Sequence, residues 1–449
     1  MQILAEREKS IYRKTSGCSF SIDCEKASLA GAVSQRACVF CGARVVLNPI
    51  TDALHLIHGP IGCASYTWDI RGSLTSDSEI YRNSFSTDMK EKDVIFGGEQ
   101  KLRSALKELI EKFRPKAVFV FSTCIVGIIG DDLESICKTA ELESGLPVIP
   151  VQSPGFGGTK VSGYLAACDA IFKLICKGDA YKTKRETIPY SLNILGDFNI
   201  GAELWIVKDC LERIGISVVS TITGDGKISE IQNAPLAQLN ILQCAGSMGY
   251  LAKKIQEDIG TPFIKISFFG QDDTIRSLWM IAEYFNKKEI TDKTEKLIKE
   301  EMAKYGPKIE KYRAGIKGKK IGIYVGGAFK AKSLIKAFNR LEAEVVFVGT
   351  QTGNKEDYAE ISNMTKPGTV IIDDTNPIEL SKYLKNKKAD LLVGGVKERY
   401  LAYKMGIGFC DHNHERKFPL AGFAGDLEFT REIHTSLMSP VWRIMEDEK

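Results

Sequence analysis

The 449-residue sequence lacks an apolar run long enough to span a membrane. Its longest apolar stretch, around residues 117–130, contains Ser122, Thr123 and Cys124 and falls short of the roughly 20 residues that a transmembrane helix needs. The sequence also lacks a strong excess of charge, since 61 basic and 57 acidic residues give a net charge of +4, too small for a nucleic-acid-binding surface. No apolar segment after Met1 suggests export. We therefore expect a cytoplasmic protein without a nucleic-acid or membrane partner.

Histidine is scarce, with 5 residues, and the 12 cysteines make up under 3% of the chain. Twelve cysteines in a chain of this length are too few for a disulfide-rich secreted scaffold, so we expect a reducing compartment. There, cysteines in unusual contexts serve more often as metal ligands or reactive thiols than as disulfides. The sequence also lacks a Walker A motif, a G-x-G-x-x-G after a predicted strand and a Ser/His/Asp order. These absences leave the cysteines as the main candidates for chemistry.

What the sequence does contain is a recurring pattern of short, β-branched strands, each followed by a helical stretch. Ten such strands lie between residues 117 and 393. Continuous apolar strands that alternate with helices indicate parallel sheets buried on both faces, and ten strands are too many for one ordinary sheet. We predict an α/β fold of three Rossmann-like domains with parallel sheets, residues 1–186, 187–290 and 291–449, separated at polar and charged segments.

Four cysteines lie where a ligand could be held. Cys124 and Cys244 follow predicted strands, at the edge where open parallel sheets bind ligands, although each could instead be a small buried residue. Cys38 opens a C-x-x-C motif with Cys41, but no second pair completes a zinc site. Cys63 lies in a Gly-Pro loop. Thiolates from separate loops suit an iron–sulfur cluster if they converge, and Cys38, Cys63 and Cys124 would leave a [4Fe–4S] cluster one ligand short.

Other polar residues carry weaker signals. His412 and His414 form an H-x-H pair that could chelate a divalent metal, although the adjacent charges favour a loop that positions a polar ligand. A glycine-rich strand end at residues 322–327, followed by Lys330 and Lys332, could bind an anion through its amides.

A further group is expected to be structural only. His55 and His58 precede a Gly-Pro turn, where we expect them to orient a loop or fill the core. Four cysteines on helical stretches among apolar neighbours are expected to be core residues; they are Cys137, Cys168, Cys176 and Cys210.

Several strings taken together resemble the nitrogenase component 1 family. Their order and spacing match the family from about residue 32 to residue 425. The amino-acid sequence is most similar to the α-type half of the family's scaffold for the iron–molybdenum cofactor. The strings are residues 38–42, 58–63, 124–134, 224–226 and 244–248. The segments most similar to the α-type scaffold chain are residues 33–41, 67–72 and 85–88.

The resemblance implies roles for four cysteines. Cys38, Cys63 and Cys124 match the ligands that an α-type chain gives to a cluster shared with its β-type partner, a [4Fe–4S] cluster in the scaffold, and the partner would supply the missing ligand. Cys244 matches the cysteine that anchors one end of the iron–molybdenum cofactor or its iron–sulfur precursor.

The resemblance also implies a cofactor cavity between the domains. Arg71 matches an arginine that lines it, and residues 411–425 match the segment that closes it from the third domain. With Cys244, the predicted cofactor-binding residues are Arg71, Lys160, Lys330 and His412.

One departure from the family separates two kinds of protein. The catalytic α-subunit holds the molybdenum end of its cofactor with a histidine in a Pro-Tyr-His-Gly-Phe context, whereas this chain has Ala421 in Pro-Leu-Ala-Gly-Phe. Val161 and Leu165 stand where the catalytic chain has a glutamine and a histidine, and a small shift would place Lys160 there. A cluster anchored at Cys244 alone could be modified at its other end and released, which favours an assembly scaffold over a turnover enzyme.

The resemblance therefore implies a specific set of partners. A β-type scaffold subunit would complete an α₂β₂ heterotetramer, and a donor would deliver the precursor cluster. The nitrogenase iron protein would dock while molybdenum and homocitrate are added. Apo component 1 would then receive the cofactor. The alternative is a nitrogenase-like reductase α-subunit acting on a small substrate or a tetrapyrrole; Ala421 argues against dinitrogen reduction and Cys244 against a tetrapyrrole. A cluster-free small-molecule-binding protein would leave the four cysteines unexplained.

Overall fold

The computed structural model describes residues 5–15, 19–24, 37–68, 73–76, 83–183, 185–412 and 418–442. The described chain alternates strands and helices along most of its length. The strands are β1 Ile11–Arg13, β2 Ala53–His58, β3 Ser84–Ser86, β4 Ala117–Ser122, β5 Val148–Val151, β6 Ser191–Leu195, β7 Ser217–Ile222, β8 Leu239–Leu242, β9 Phe263–Lys265, β10 Lys320–Val325, β11 Glu344–Thr350, β12 Val370–Asp373, β13 Leu391–Gly394 and β14 Gly408–Asp411.

The helices lie between these strands, and short 3₁₀ turns occur at Gly155–Gly157 and Ala234–Leu236. The helices are α1 Ala5–Glu8, α2 Val39–Leu47, α3 Ile61–Trp68, α4 Glu91–Phe96, α5 Glu99–Phe113, α6 Cys124–Ile129, α7 Leu133–Ser144, α8 Lys160–Lys177, α9 Asp179–Thr183, α10 Glu203–Arg213, α11 Ile228–Gln232, α12 Ala245–Asp258, α13 Gly270–Phe285, α14 Lys288–Ile316, α15 Ala328–Arg340, α16 Lys355–Met364, α17 Pro377–Lys387, α18 Val396–Met405 and α19 Gly422–Leu437.

The chain divides into two compact units, a central unit of residues 37–266 and a terminal unit of residues 1–36 and 267–449. The central unit holds two four-stranded sheets, in the orders β3-β2-β4-β5 and β7-β6-β8-β9, and every pairing in them is parallel. The terminal unit holds a six-stranded sheet in the order β1-β12-β11-β10-β13-β14, parallel except for β1. The predicted α/β class with parallel sheets is confirmed.

The predicted division into three domains stays a prediction. Each of the three sheets lies mostly within one predicted domain, but β1, from the N-terminal segment, pairs antiparallel with β12 of the third. Among the residues described, none of the helices combines the length and the apolar character that a membrane span requires.

The core of the central unit forms because its strands are apolar on both faces, as buried parallel strands require. All six residues of β4 are buried, and the same is true of β2. One cluster of buried side chains extends from the first sheet to the second, including Phe119, Phe121, Leu195 and Met248.

Helices α2 and α8 cross in the central unit at unusually short range. A Cβ atom on Gly42 would lie 2.1 Å from the carbonyl oxygen of Lys160, and one on Gly163 would lie 2.0 Å from the carbonyl oxygen of Val39. Only glycine fits at these two positions, because any side chain would collide with backbone that cannot move aside. The crossing therefore holds the first turn of α2 against the first turn of α8.

Candidate functional site

Two of the predicted cluster ligands, Cys63 and Cys124, follow neighbouring strands of the first sheet. Strands β2 and β4 are parallel neighbours, with His58 opposite Ser122 at their carboxyl ends. The chain after β2 turns at Gly59 and Pro60 into α3, which carries Cys63, and the chain after β4 enters α6 directly at Cys124. Carboxyl ends of adjacent parallel strands are the usual ligand-binding edge of such a sheet.

Cys38 and Cys124 converge on the loop after β5. The backbone amide of Gly155 donates a hydrogen bond to the Cys124 sulfur at 3.2 Å. A Cβ atom on Gly155 would lie 2.9 Å from that sulfur, 3.3 Å from the Cβ and 3.5 Å from the sulfur of Cys38. The two sulfurs therefore face one point, which is open because residue 155 has no side chain.

Cys63 belongs to the same neighbourhood. Burial raises the pKa of its thiol, and the nearby Cys124 and Cys38 raise it further because negative charge on those sulfurs opposes a third thiolate. Cys38 and Cys124 are exposed, whereas Cys63 is partly buried. The three predicted ligands thus lie close enough to interact electrostatically, and Cys38 and Cys124 are exposed to solvent.

The second cysteine of the C-x-x-C motif plays a different part from the first. Cys38 is the N-cap of α2, whereas Cys41 lies in the first turn and has no exposed surface. Hydrogen bonding from the Cys41 thiol, with a smaller contribution from first-turn amides, lowers the pKa of Cys38 to about 6. The same bond and burial raise the pKa of Cys41 far above its usual range, so Cys41 remains a thiol donor.

A buried hydrogen-bond network holds the Cys63 and Cys124 loops together. The His58 ring contacts the Thr87 hydroxyl through Nδ1 at 3.1 Å and the Asp131 carboxylate through Nε2 at 3.0 Å. Asp131 also accepts the backbone N–H of Gly98 at 3.1 Å, and the Thr123 hydroxyl donates to the His58 carbonyl oxygen at 3.0 Å. Burial lowers the pKa of His58 despite the carboxylate. A neutral ring therefore donates from Nε2 and accepts at Nδ1.

His55 and His58 are both core residues, as expected. His55 stacks on Phe119 with ring centroids 5.6 Å apart. Asp131 was not singled out from the sequence as a functional residue, although it lies in the string 124–134 that resembles the family. The next residue, Asp132, caps α7 by accepting the N–H of Ser135.

The donor set fits an iron–sulfur cluster. Thiolates are the preferred ligands of iron–sulfur clusters, which take one cysteine on each ligated iron. Within the described ranges, no group of three His, Cys, Asp or Glu side chains is close enough to hold a single metal ion. A cluster spreads its ligands more widely than one ion does, and the open point at Gly155 is where a side chain would otherwise intrude.

Cys244 forms a second, separate position in the central unit. It is the N-cap of α12, immediately after the loop that follows β8, and its side chain is partly exposed. Gly196 adopts φ +85°, and a Cβ atom there would lie 2.8 Å from the Cys244 Cβ. Gly196 is thus needed for both its conformation and its small size. A helix N-terminus also favours an anionic ligand.

Helix α8 lies beside both positions. Lys160, its first residue, has its Nζ 5.9 Å from the centroid of the Tyr164 ring. Burial raises the pKa of Tyr164, and the phenol interacts electrically with both Cys244 and Cys41. Val161 and Leu165 are exposed on this helix.

The terminal unit brings Lys330 and His412 together. The Lys330 ammonium donates to the backbone carbonyl of His412 at 3.2 Å. The His412 ring is only 2% exposed and packs on Phe269 with centroids 5.0 Å apart. Lys332 is held instead by the carboxylates of Asp357 and Glu360 at 3.0 and 2.6 Å.

Two of the predicted residues, Arg71 and His414, lie outside the described residues. Ala421 is described: it is the buried N-cap of α19 and pairs with Phe269 in an isolated antiparallel bridge. Its methyl side chain offers no donor atom to a metal.

Three sheets whose strands are parallel except for β1, with cysteines at strand ends and glycines that leave room beside them, are the features by which the class of protein can be recognised. The model of the family described as nitrogenase component 1 type oxidoreductase matches residues 38–438, and the chain belongs to that family.

Similarity to particular members is high along the whole chain. The nitrogenase iron-molybdenum cofactor biosynthesis protein NifE of Clostridium pasteurianum is 57% identical over 98% of this chain and 97% of its own length. NifE of Methanosarcina barkeri is 52% identical over 98% and 96%. The solved structure of nitrogenase Cp1 at pH 5 superposes with a TM-score of 0.90 at 30% identity, covering 98% of this chain and 95% of the other.

Proposed function

We propose that this chain is the α-type subunit of the scaffold on which the iron–molybdenum cofactor of nitrogenase is assembled. The observation that carries the proposal is the partly exposed thiol of Cys244 at the start of a helix. It is supported by the resemblance, which matches Ala421 with the molybdenum-binding histidine of the catalytic chain. An anchor at one end only suits a cluster that must be altered and then released. The names and the 57% and 52% identities of the two relatives support the same function.

The interface cluster is the first element of the proposal. Cys38, Cys63 and Cys124 hold a [4Fe–4S] cluster together with a β-type, NifN-like subunit in an α₂β₂ heterotetramer. The convergence of Cys38 and Cys124 on Gly155 supports this, and so does the exposure of both sulfurs, because a partner can approach them.

The cargo site is the second element. Cys244 holds the iron–sulfur precursor through one iron while molybdenum and homocitrate are added at the opposite end. Within the central unit, Lys160 is a cation near Cys244, because its ammonium lies over the Tyr164 ring and that phenol interacts electrostatically with Cys244. Arg71, Lys330 and His412 are proposed as further cofactor-binding residues.

The remaining partners follow from the same reaction sequence, in the cytoplasm. A donor protein delivers the precursor cluster, the nitrogenase iron protein docks during maturation, and apo component 1 accepts the finished cofactor.

The experiment is to purify the complex with its β-type partner anaerobically and to count iron in three forms. The wild-type complex should contain iron well beyond one [4Fe–4S] cluster per αβ unit. Cys244→Ala should lose the larger cluster and keep the interface cluster, whereas Cys124→Ala should lose the interface cluster. Cys210→Ala, in a buried cysteine of helix α10, is the matched control and should keep both. A colourless, iron-free wild-type complex, or joint loss of both clusters in Cys244→Ala, contradicts the proposal.

A further inference from the structure

The Gly-Asp-Gly string at residues 224–226 is a motif that neither proposed cluster position uses. Its aspartate, Asp225, lies in the loop after β7, is buried and adopts φ +48°. The Asp225 carboxylate accepts hydrogen bonds from the backbone N–H and the hydroxyl of Ser76, each at 2.9 Å, and from the indole N–H of Trp205 at 2.9 Å. Trp205, on helix α10, therefore orients the carboxylate, which holds Ser76 from 149 residues away in the sequence.

A second attachment lies two residues before Ser76. The backbone N–H of Leu74 donates to the carbonyl oxygen of Asn199 at 2.8 Å, and the Asn199 side-chain amide donates to the carbonyl oxygen of Leu74 at 2.8 Å. Asn199 is fully buried, whereas Leu74 and Ser76 are exposed. Hydrogen bonds to buried partners, more than burial of Leu74 or Ser76, therefore hold the segment of residues 73–76 in place.

The two attachments lie on the loops that border Cys244. Strand β6 pairs with both β7 and β8 in parallel, so the loops after these three strands lie at one edge of the second sheet, where such sheets bind ligands. The loop after β6 joins the other two through Asp197. Its carbonyl oxygen accepts the N–H of Gly224 at 2.8 Å, and its carboxylate accepts the side-chain amide of Gln243 at 3.2 Å. Gln243 directly precedes Cys244, so the 73–76 segment is fixed at the sheet edge that carries Cys244.

We propose that the 73–76 segment is a fixed wall of the cargo site, and that Asp225 is the positioning residue that holds it at the same sheet edge as Cys244. The inference rests on the proposed function, since it needs a cargo cluster at Cys244. Groups that are already in place before a ligand arrives bind it more tightly, because they do not have to be ordered on binding. Residues outside the ligands themselves change the affinity of a metal site by about 10–100-fold. Release of the segment should therefore loosen the cargo and leave the interface cluster unchanged.

The test measures two properties of the anaerobic complex with the β-type partner. Four forms are compared: wild type, Asp225→Gly, Asp225→Asn and Asp52→Ala. The first property is the rate at which cargo iron is lost to a ferrous-iron chelator, with the interface cluster's contribution taken from the Cys244→Ala complex. The second is hydrogen exchange of the backbone amides of residues 73–76, measured by mass spectrometry.

Each variant isolates one contribution. Glycine tolerates the φ of +48° at residue 225, so Asp225→Gly removes the carboxylate without straining the backbone. Asp225→Asn keeps a side-chain oxygen for the Ser76 N–H, and its amide can donate to the Ser76 hydroxyl. Asp52 is the matched control because its carboxylate also accepts a backbone N–H after β7, that of Ile228 at 2.9 Å, and so ties α11 rather than the 73–76 segment.

We expect Asp225→Gly to lose cargo iron about tenfold faster than wild type and to exchange faster at residues 73–76. Asp225→Asn should recover most of both effects, and Asp52→Ala should match wild type. If Asp225→Gly does not assemble, Ser76→Ala gives the same comparison with a smaller acceleration, because it removes only the bonds of the Ser76 hydroxyl. An unchanged rate of iron loss in Asp225→Gly, or an equal acceleration in Asp52→Ala, overturns the inference but not the proposed function. A wild-type complex without cargo iron overturns both.

Discussion

Replacement of Gly155 by alanine tests the geometry of the proposed interface cluster. The new Cβ atom would lie 2.9 Å from the Cys124 sulfur and 3.3 Å from the Cys38 Cβ. Carbon–carbon contacts are optimal at about 3.5–4.0 Å, and sulfur is larger than carbon, so a group must move by more than about half an ångström. The cheapest movement is rotation of the Cys124 side chain, which turns its sulfur away from the position the cluster needs. Sites of this kind tolerate displacements of only about 0.5 Å.

We therefore expect Gly155→Ala to lose most of the interface-cluster iron and to keep the iron at Cys244. The assay is iron content together with the cluster's paramagnetic resonance signal in the anaerobic complex. Gly157→Ala is the matched control, because its Cβ atom would meet nothing closer than Pro154 at 3.7 Å in the same 3₁₀ turn. Full interface-cluster iron in Gly155→Ala would refute the convergence of the two sulfurs on residue 155.

Three further outcomes follow from the central unit. Gly42→Ala should lower the free energy of unfolding by about 1–3 kcal/mol or more in denaturant titrations, because its Cβ atom would lie 2.1 Å from a backbone oxygen, whereas Gly249→Ala, in open space on α12, should be neutral or stabilising. In cluster-free protein, Cys38, whose pKa is lowered to about 6, should react with iodoacetamide at pH 7 faster than Cys63, whose pKa is raised; equal rates by peptide mass spectrometry would contradict this. Asp131→Ala should cost about 1–3 kcal/mol of stability, since it leaves two buried donors unpaired, and a change below 0.5 kcal/mol, on the order of a surface substitution, would contradict the network.

The sequence predicted the strands of the second and third sheets better than those of the first. All ten predicted strands correspond to strands of the structure, namely β4 to β13, but β1, β2, β3 and β14 were missed. In β2, His55 and His58 break up the apolar residues. In the sequence alone, two histidines in a strand look like a break in the apolar pattern, although both are buried in the structure. The partner of His58, Asp131, lies 73 residues further along the chain, and no local pattern links them.

The candidate site, too, could be predicted from the sequence only in part. The cysteines could be selected from the sequence because each follows a strand or a glycine-rich turn, and because together they resemble a known family. The role of Gly155 could not be selected, since it depends on the meeting of three segments: the N-cap at Cys38, the start of α6 at Cys124 and the loop after β5. The lowering of the Cys38 pKa by Cys41 likewise depends on the helix that begins between them.

Transfer of the finished cofactor tests the central claim most directly. The complex is incubated with the iron protein, a nucleoside triphosphate, a reductant, molybdate and homocitrate, then reisolated and mixed with apo component 1. Acetylene reduction is measured after fresh iron protein, nucleoside triphosphate and reductant are added. We expect that wild-type complex activates component 1, that Cys244→Ala does not, and that neither form of the complex reduces acetylene alone at nitrogenase rates. Acetylene reduction by the complex itself at such rates, with no activation of component 1, would contradict the scaffold function.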